Sequence, residues 1–512
     1  MISVTDTTRS KKSSANKRPV RVILTTADAL QSNAHAHEEW DAVARRVRVI
    51  AENESRGCLG NSGLFMDEDA VFLAIGDVHL GTACSGVPDE ISSWGIDPRE
   101  LTPAAALGLS VDFAIKQKLD AVLFAGDIVE STNARFEAIL PLEAGIRRLL
   151  EAGIEVIAVA GNHDVEALPR LADLIEGFTL LGAGGRWEAR TITKNQMPVA
   201  EVVGWSFGEK YVRQSPVAQL LAEPMPMPSS PVPRIGLLHA DLDASGGYYA
   251  PIRQAELDNT GYDAWLLGHI HKPSFESLSG SKKSLPSGYL GSLVGLDPSE
   301  TGPHGPWLFR VSDGGVLPLE QVPLAPLRWE HVSVSIDGLE HVEDVPDRLL
   351  DEAAKFVRHL GESGTALRAL GLRVRLTGSS SIYEEIRQRV AQSEWKGLGR
   401  VVDGTAVFFD KIVDAMELRL DLVEIAKGAD PAALMAQRLL TLECDDDPSR
   451  ALLEKARAEL SAVAREDLWS PVQDHRNATD PLSDDALRDL LVRSGRAALN
   501  AMLSNNAQAE TS

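Results

Sequence analysis

Cysteine is scarce: Cys58, Cys84 and Cys444 are the only three in 512 residues, far apart and never in a Cys-x-x-Cys pair. That spacing argues against a disulfide framework and against a thiolate zinc site, and it fits a reducing cytoplasm. Long apolar runs are also missing. No stretch reaches the roughly 18 residues that a membrane-spanning helix needs. The polar N-terminus lacks the apolar core of a secretory signal. Basic charge is in short supply: 51 Lys and Arg face 74 Asp and Glu, a formal net charge of −23. Holding nucleic acid by bulk charge alone requires clustered Lys and Arg, so that class is disfavoured. No Gly-x-x-x-x-Gly-Lys-Ser/Thr loop occurs, so the chain is not expected to hydrolyse ATP itself.

What is present is an ordinary globular composition, 44% hydrophobic and 24% charged. The length suits roughly two to four domains. Residues 1–65 begin with a Ser/Thr/Lys/Arg-rich stretch and then offer one strand (Val20–Leu24) and one helix with Trp40, Val43, Val47 and Ile50 on a face. They are expected to be a poorly ordered extension, and the composition shift before Met66 predicts that translation starts there. From Ala70 apolar strands alternate with helices. Strands are expected at Ala70–Ile75, Ala121–Phe124, Val156–Ala160, Ile235–Leu238, Ala264–Leu267 and Trp307–Val311, with helices around Ala104–Lys118 and Ala134–Ala152. Continuous apolar strands of this kind belong to sheets buried on both faces, with ligands at the strands' carboxyl ends. Residues 66–325 are therefore expected to form the catalytic domain. A small α+β unit should follow over 326–446, with strands near Trp329–Ile336 and Leu372–Leu376 and a helix near Val345–Leu360. A helical tail should occupy 447–512, with Leu452, Leu453, Ala456, Leu460 and Val463 on its apolar face.

Five segments carry the chemistry: Gly76-Asp77-Val78-His79, Gly126-Asp127, Gly161-Asn162-His163-Asp164, His239-Ala240-Asp241 and Gly268-His269-Ile270-His271. Each follows an apolar strand. Gly-Asp alone would be an ordinary helix cap, and His239 alone a structural histidine. Together, in this order, they hold five of the chain's twelve histidines. Carboxylate, imidazole and amide donors without thiolate suit manganese, iron or zinc better than copper(I) or an iron–sulfur cluster. The set is too large for one tetrahedral ion and suits two ions sharing a carboxylate, about 3.5–4 Å apart, which can clamp a phosphoryl group.

In order and over roughly 70–322, these segments resemble the calcineurin-like metallophosphoesterase superfamily. Within it the chain looks most like SbcD-type, YhaO-like DNA repair exonucleases, through GDVHLG (76–81), GHIHKP (268–273), YLGSLVGLDPSETGPHGPWLFRV (289–311), PLRWEHVSVSI (326–336) and RVRLTG (373–378). The resemblance implies a four-layer α/β/β/α sandwich with a smaller α+β capping, DNA-facing domain and a helical tail. It implies two divalent cations, manganese first, with Fe2+, Zn2+ or Mg2+ as alternatives. Asp77, His79 and His271 would hold one, Asn162, His239 and His269 the other, and Asp127 would bridge them. His163 would protonate the leaving oxygen and Asp164 would orient it. Bound cations lower the pKa of a coordinated water from about 15.7 towards 7, which makes the implied reaction phosphodiester hydrolysis. The implied partners are DNA, an SMC-like ATPase of the SbcC or YhaN type docked on the tail, and a second copy of the chain.

Departures from the pattern qualify this. Glu130 stands where relatives often have Asp, keeps the charge and is expected to support the site from behind. Asp241 follows a His-Ala where relatives carry His-Gly or His-Thr, and is read as a loop carboxylate first, with an extra acid near the site as the alternative. Residues 66–325 hold 18 Lys and Arg against 34 Asp and Glu, so long DNA would need a local basic track. A small-substrate phosphoesterase for a cyclic or bridged nucleotide is the alternative, and a non-catalytic scaffold a third.

Overall fold

The computed structural model describes residues 69–130, 136–228, 230–244, 246–275, 286–361, 367–418, 421–463 and 482–510. The expectations for residues 1–65 and a start at Met66 lie outside them. The apolar segments build two mixed sheets. In the first, β1 (Ala70–Ile75), β2 (Ala121–Phe124), β3 (Glu155–Ala158) and β4 (Phe178–Leu180) run parallel. The second opens with a hairpin of β5 (Trp187–Lys194) and β6 (Met197–Trp205). It continues in parallel through β7 (Arg234–His239), β8 (Ala264–Gly268) and β9 (Ser287–Tyr289). The chain then returns to the first sheet with β10 (Trp307–Ser312), antiparallel to β1, and β11 (Gly315–Gln321).

Period-two alternation sends one face of each sheet inwards. Phe72, Ala74, Leu123 and Ile157 pack there against Ile192, Val202, Leu237 and Leu266. The other faces take helices. Residues 103–117, with Val111 and Phe113 buried, and residues 136–151 cover the first sheet. On the second, Trp205, Leu238 and Trp265 meet Val217, Leu220 and Leu257. Each such buried large apolar side chain contributes about 1.5–3 kcal/mol. The result is the expected α/β/β/α order of layers.

A smaller sheet follows. Its strands are β12 (Leu327–Ser335), β13 (Ala369–Thr377), β15 (Gly399–Val402) and β16 (Thr405–Asp414), beside a two-stranded pairing of β14 (Ser379–Ser380) with β17 (Glu417–Leu418). β12, β13 and β16 are parallel, joined by helices at 345–361 and 383–391. Val334, Leu372, Val374 and Phe409 form the core with Leu349, Ala353 and Ile386. The C-terminal helices, 431–443, 447–463 and 484–510, pack on one another through Leu439–Leu499 and Leu453–Leu487 clusters. Among the described residues, no helix is long and apolar enough to cross a membrane.

Candidate metal centre

Every expected site residue leaves the carboxyl end of a central strand: Asp77 and His79 after β1, Asp127 after β2, Asn162, His163 and Asp164 after β3, His239 at the end of β7, and His269 and His271 after β8. Their backbones are unusual. His79, Asp127 and His269 have φ of 53°, 48° and 107°, a region that costs a non-glycine residue of order 1–3 kcal/mol and collects at functional sites. Glycine allows the crowding. A Cβ on Gly161 would lie 2.2 Å from Asp127 Oδ1, and one on Gly126 (φ 91°) 2.8 Å from His239 Nδ1.

The side chains converge in two overlapping groups. His79 Nε2 lies 3.1 Å from His271 Nε2 and 3.9 Å from Asp127 Oδ2. His239 Nε2 lies 3.3 Å from Asp127 Oδ2, 3.2 Å from Asn162 Oδ1 and 3.2 Å from His269 Nδ1. The Asp77 carboxylate accepts from the His269 N–H at 2.9 Å and stands 3.8 Å from His239 Nδ1. Asp127 also accepts from the His163 N–H at 3.0 Å.

Each of these imidazoles turns one nitrogen inwards and has an acceptor near the other. His239 Nδ1 is 3.1 Å from the Ala125 carbonyl, His269 Nε2 3.0 Å from Asp241, His271 Nδ1 2.7 Å from Glu300 and His79 Nδ1 3.5 Å from Glu130. Such partners fix the tautomer and raise the basicity of the inward nitrogen.

Two expectations change. Asp164 does not orient His163. It is fully buried and accepts the backbone N–H groups of Val129 at 2.7 Å and of Ile128 and Gly161 at 3.1 Å. The imidazole Nδ1 meets Glu130 Oε1 instead, at 2.9 Å. Asp241 is not only a loop carboxylate: it is the extra acid near the site, with Oδ1 3.0 Å from His269 Nε2. Glu300 was not singled out in the sequence, since it sits in a loop with no apolar strand beside it.

Charge and burial compete here. Burial would raise the Asp127 carboxyl, but the charge and hydrogen bond of His239, then His79 and His163, hold it well below the usual carboxylate range. Burial opposes a charged His239, yet Asp127, Asp77 and Asp164 raise it to about 9. Asp164 is raised to about 6 by burial and by the Asp127 charge, against its three backbone hydrogen bonds. Burial, then the neighbouring His239, lowers His269.

Buried carboxylates facing inward imidazole nitrogens fit divalent cations. Asp77, His79 and His271 each offer a donor atom within 4.8 Å of the others, as do Asp127, His239 and His269, and also His79, Glu130 and His163. Residues 70–273 match the family described as calcineurin-like phosphoesterase, and residues 329–417 match the middle domain of the metallophosphoesterase YhaO. Residues 70–273 are thus a calcineurin-like phosphoesterase domain. The chain is 26% identical over 325 residues to the uncharacterized metallophosphoesterase YhaO of Bacillus subtilis, covering 58% of this chain and 72% of that one. It is also 26% identical over 310 residues to the DNA double-strand break repair protein Mre11 of Haloferax volcanii, covering 57% and 62%. A dimetal phosphatase from Danio rerio aligns with 49% of the chain at 13% identity and a TM-score of 0.29. Both the metallophosphoesterase assignment and the layer order agree with the sequence reading.

Proposed function

We propose that this metallophosphoesterase is a two-cation phosphodiester hydrolase acting on DNA ends, with an SMC-like ATPase as its partner. The observation that carries the reading is the pair of donor clusters meeting at Asp127. In it Asp77, His79 and His271 would hold one cation and Asn162, His239 and His269 the other, with Asp127 offering its carboxylate to both groups. Manganese is the first choice, since the donors are nitrogen and oxygen. Bound there, the cations would supply Lewis acidity and an activated water. The remaining chemistry falls to the chain. With Nδ1 of His163 held by Glu130, Nε2 is the nitrogen left to protonate a leaving oxygen. Asp127 fixes the same residue through its N–H.

DNA as substrate is supported by similarity to Mre11 and by a basic row on the small sheet. His331, Arg373 and Lys411 are register partners across β12, β13 and β16, with Arg373 paired to Asp410 at 2.9 Å, and Arg375 lies on the same face two residues on. This is the kind of local track that an acidic catalytic domain requires. Residues 66–325 would thus cut, 326–446 face DNA, and 447–512 dock the ATPase. In the tail, Leu452, Leu453 and Leu460 pack within the helical bundle, so docking would use other apolar positions such as the exposed Leu490 and, just upstream, Leu434. The cytoplasm is the proposed compartment and a homodimer the proposed assembly.

The test is hydrolysis of end-labelled single- and double-stranded DNA with manganese, beside a small chromogenic diester. His163→Ala should keep both cations and lose a factor of about 10²–10⁴. Cleavage of DNA by the wild type supports the reading. Cleavage of the small diester alone, with or without the ATPase, would favour the small-substrate alternative.

A further inference from the structure

Between β9 and β10 the chain forms a loop organised around Glu300. Its carboxylate has Oε1 2.7 Å from His271 Nδ1, while Oε2 accepts from the Leu296 N–H at 2.9 Å and the Ser292 hydroxyl at 3.4 Å. Buried His304 backs the loop, with Nε2 3.1 Å from the Glu300 carbonyl. The other side of this loop is held by a residue of the small sheet. Trp329 of β12 is fully buried, and its indole N–H donates to the Gly295 carbonyl at 3.1 Å. Its own carbonyl accepts from the Gly302 N–H at 2.9 Å, and its backbone bridges to Thr301, next to Glu300.

The ring fits because two neighbours lack side chains. A Cβ on Gly371 of β13 would lie 2.0 Å from the indole, and one on Gly295 2.8 Å. Phe408 of β16 closes the remaining edge, with ring centroids 5.5 Å apart. An unbroken chain of contacts therefore runs from three strands of the small sheet, through Trp329 and the loop, to Glu300 and then to His271. Acceptors placed behind a ligating imidazole set its orientation, and losing one typically costs 10–100-fold in metal affinity.

We propose that Trp329 is a strut through which the small sheet holds Glu300, and through Glu300 the His271 imidazole, so that cation affinity at the Asp77–His79–His271 cluster depends on how the small sheet is seated. This rests on the two-cation reading above. It makes Glu300 and Trp329 positioning residues rather than catalytic ones.

The experiment measures manganese stoichiometry and affinity on the full chain by calorimetry, with a thermal melt for each variant. Glu300→Gln should weaken one of two ions by about 10–100-fold and leave the other unchanged. Trp329→Phe should weaken the same ion, by about 2- to 30-fold. The double variant should be no weaker than Glu300→Gln alone, because a strut acting through Glu300 has nothing left to hold. Gly371→Ala keeps the indole but displaces it, and should weaken that ion too, which covers a Trp329 variant that fails to fold. Trp395→Phe is the control, a buried tryptophan in the core on the helix-covered face of the small sheet, which should leave both ions at wild-type affinity. Wild-type affinity in folded Trp329→Phe and Gly371→Ala, additive losses in the double variant, or equal weakening by Trp395→Phe would each overturn the strut. A wild-type chain that binds no pair of manganese ions would instead overturn the two-cation reading.

Discussion

His163 Nδ1 lies 2.9 Å from Glu130 Oε1, whereas the adjacent Asp164 carboxylate is taken up by backbone N–H groups. Two acids beside one histidine thus have separate duties. Glu130 also stands 3.5 Å from His79 Nδ1, so it supports two imidazoles at once. Glu130→Gln keeps the shape and removes the charge. It should lower turnover of a chromogenic phosphodiester by about 10–100-fold, the usual cost of losing such a supporting partner. Wild-type turnover by a folded Glu130→Gln would contradict the pairing.

Asp164 makes the opposite prediction. It anchors the turn after β3 to the turn after β2, through the N–H groups of Gly161, Ile128 and Val129. Leaving a buried donor unsatisfied costs about 1–3 kcal/mol. Asp164→Ala should therefore lose several kcal/mol of stability in chemical denaturation, before any effect on catalysis is considered. Asp164→Asn should recover only part, because its amide places a donor against donors. Unchanged stability with a selective loss of turnover would restore the catalytic role suggested by its place beside His163.

These two residues show where the sequence was legible. The strands were, because a sheet buried on both faces imposes unbroken apolar runs: β1 and β2 fall at the expected residues, and β7, β8 and β10 within one. Donor residues next to such strands were equally visible. Of the acids behind the imidazoles, Glu130 was expected through the resemblance, but its partners were not, and Asp241 and Glu300 are defined by tertiary approach and not by spacing. The β5–β6 hairpin was missed for a related reason. One face of β5 is exposed, so its Trp187–Lys194 sequence lacks an apolar run.

Away from the centre, Arg234 and Glu201 form a buried ion pair across β6 and β7, with Nε 2.6 Å from Oε2. Removing one partner of such a pair leaves an uncompensated charge and costs about 3–5 kcal/mol. Glu201→Ala should show this loss in denaturant unfolding. Replacing both residues, as Arg234→Met with Glu201→Leu, should restore much of it, because the desolvation cost disappears with the charges. An equal or larger loss in the double variant would mean that the pair itself is a net source of stability.

Cys84 tests local electrostatics with a pH-dependent reaction. Its thiol donates to the Leu101 carbonyl at 3.2 Å, and burial, then the nearby Glu300 charge, pushes its pKa up to about 12. The reactive species is the thiolate. A raised pKa removes that species at neutral pH and restores it only as pH climbs towards 12. At pH 8 a group of this pKa is ionised to about one part in ten thousand, against about a quarter for an ordinary thiol of pKa about 8.5. Cys444 is exposed. Iodoacetamide at pH 8, followed by peptide mapping, should therefore label Cys444 within minutes and leave Cys84 unmodified in the folded chain. Glu300→Gln should speed Cys84 labelling modestly, since it removes the smaller of the two causes and leaves the burial. Rapid labelling of Cys84 in the native protein would mean that the segment carrying it opens readily, and with it the Ser85 N–H to Leu296 carbonyl contact that ties it to the Glu300 loop.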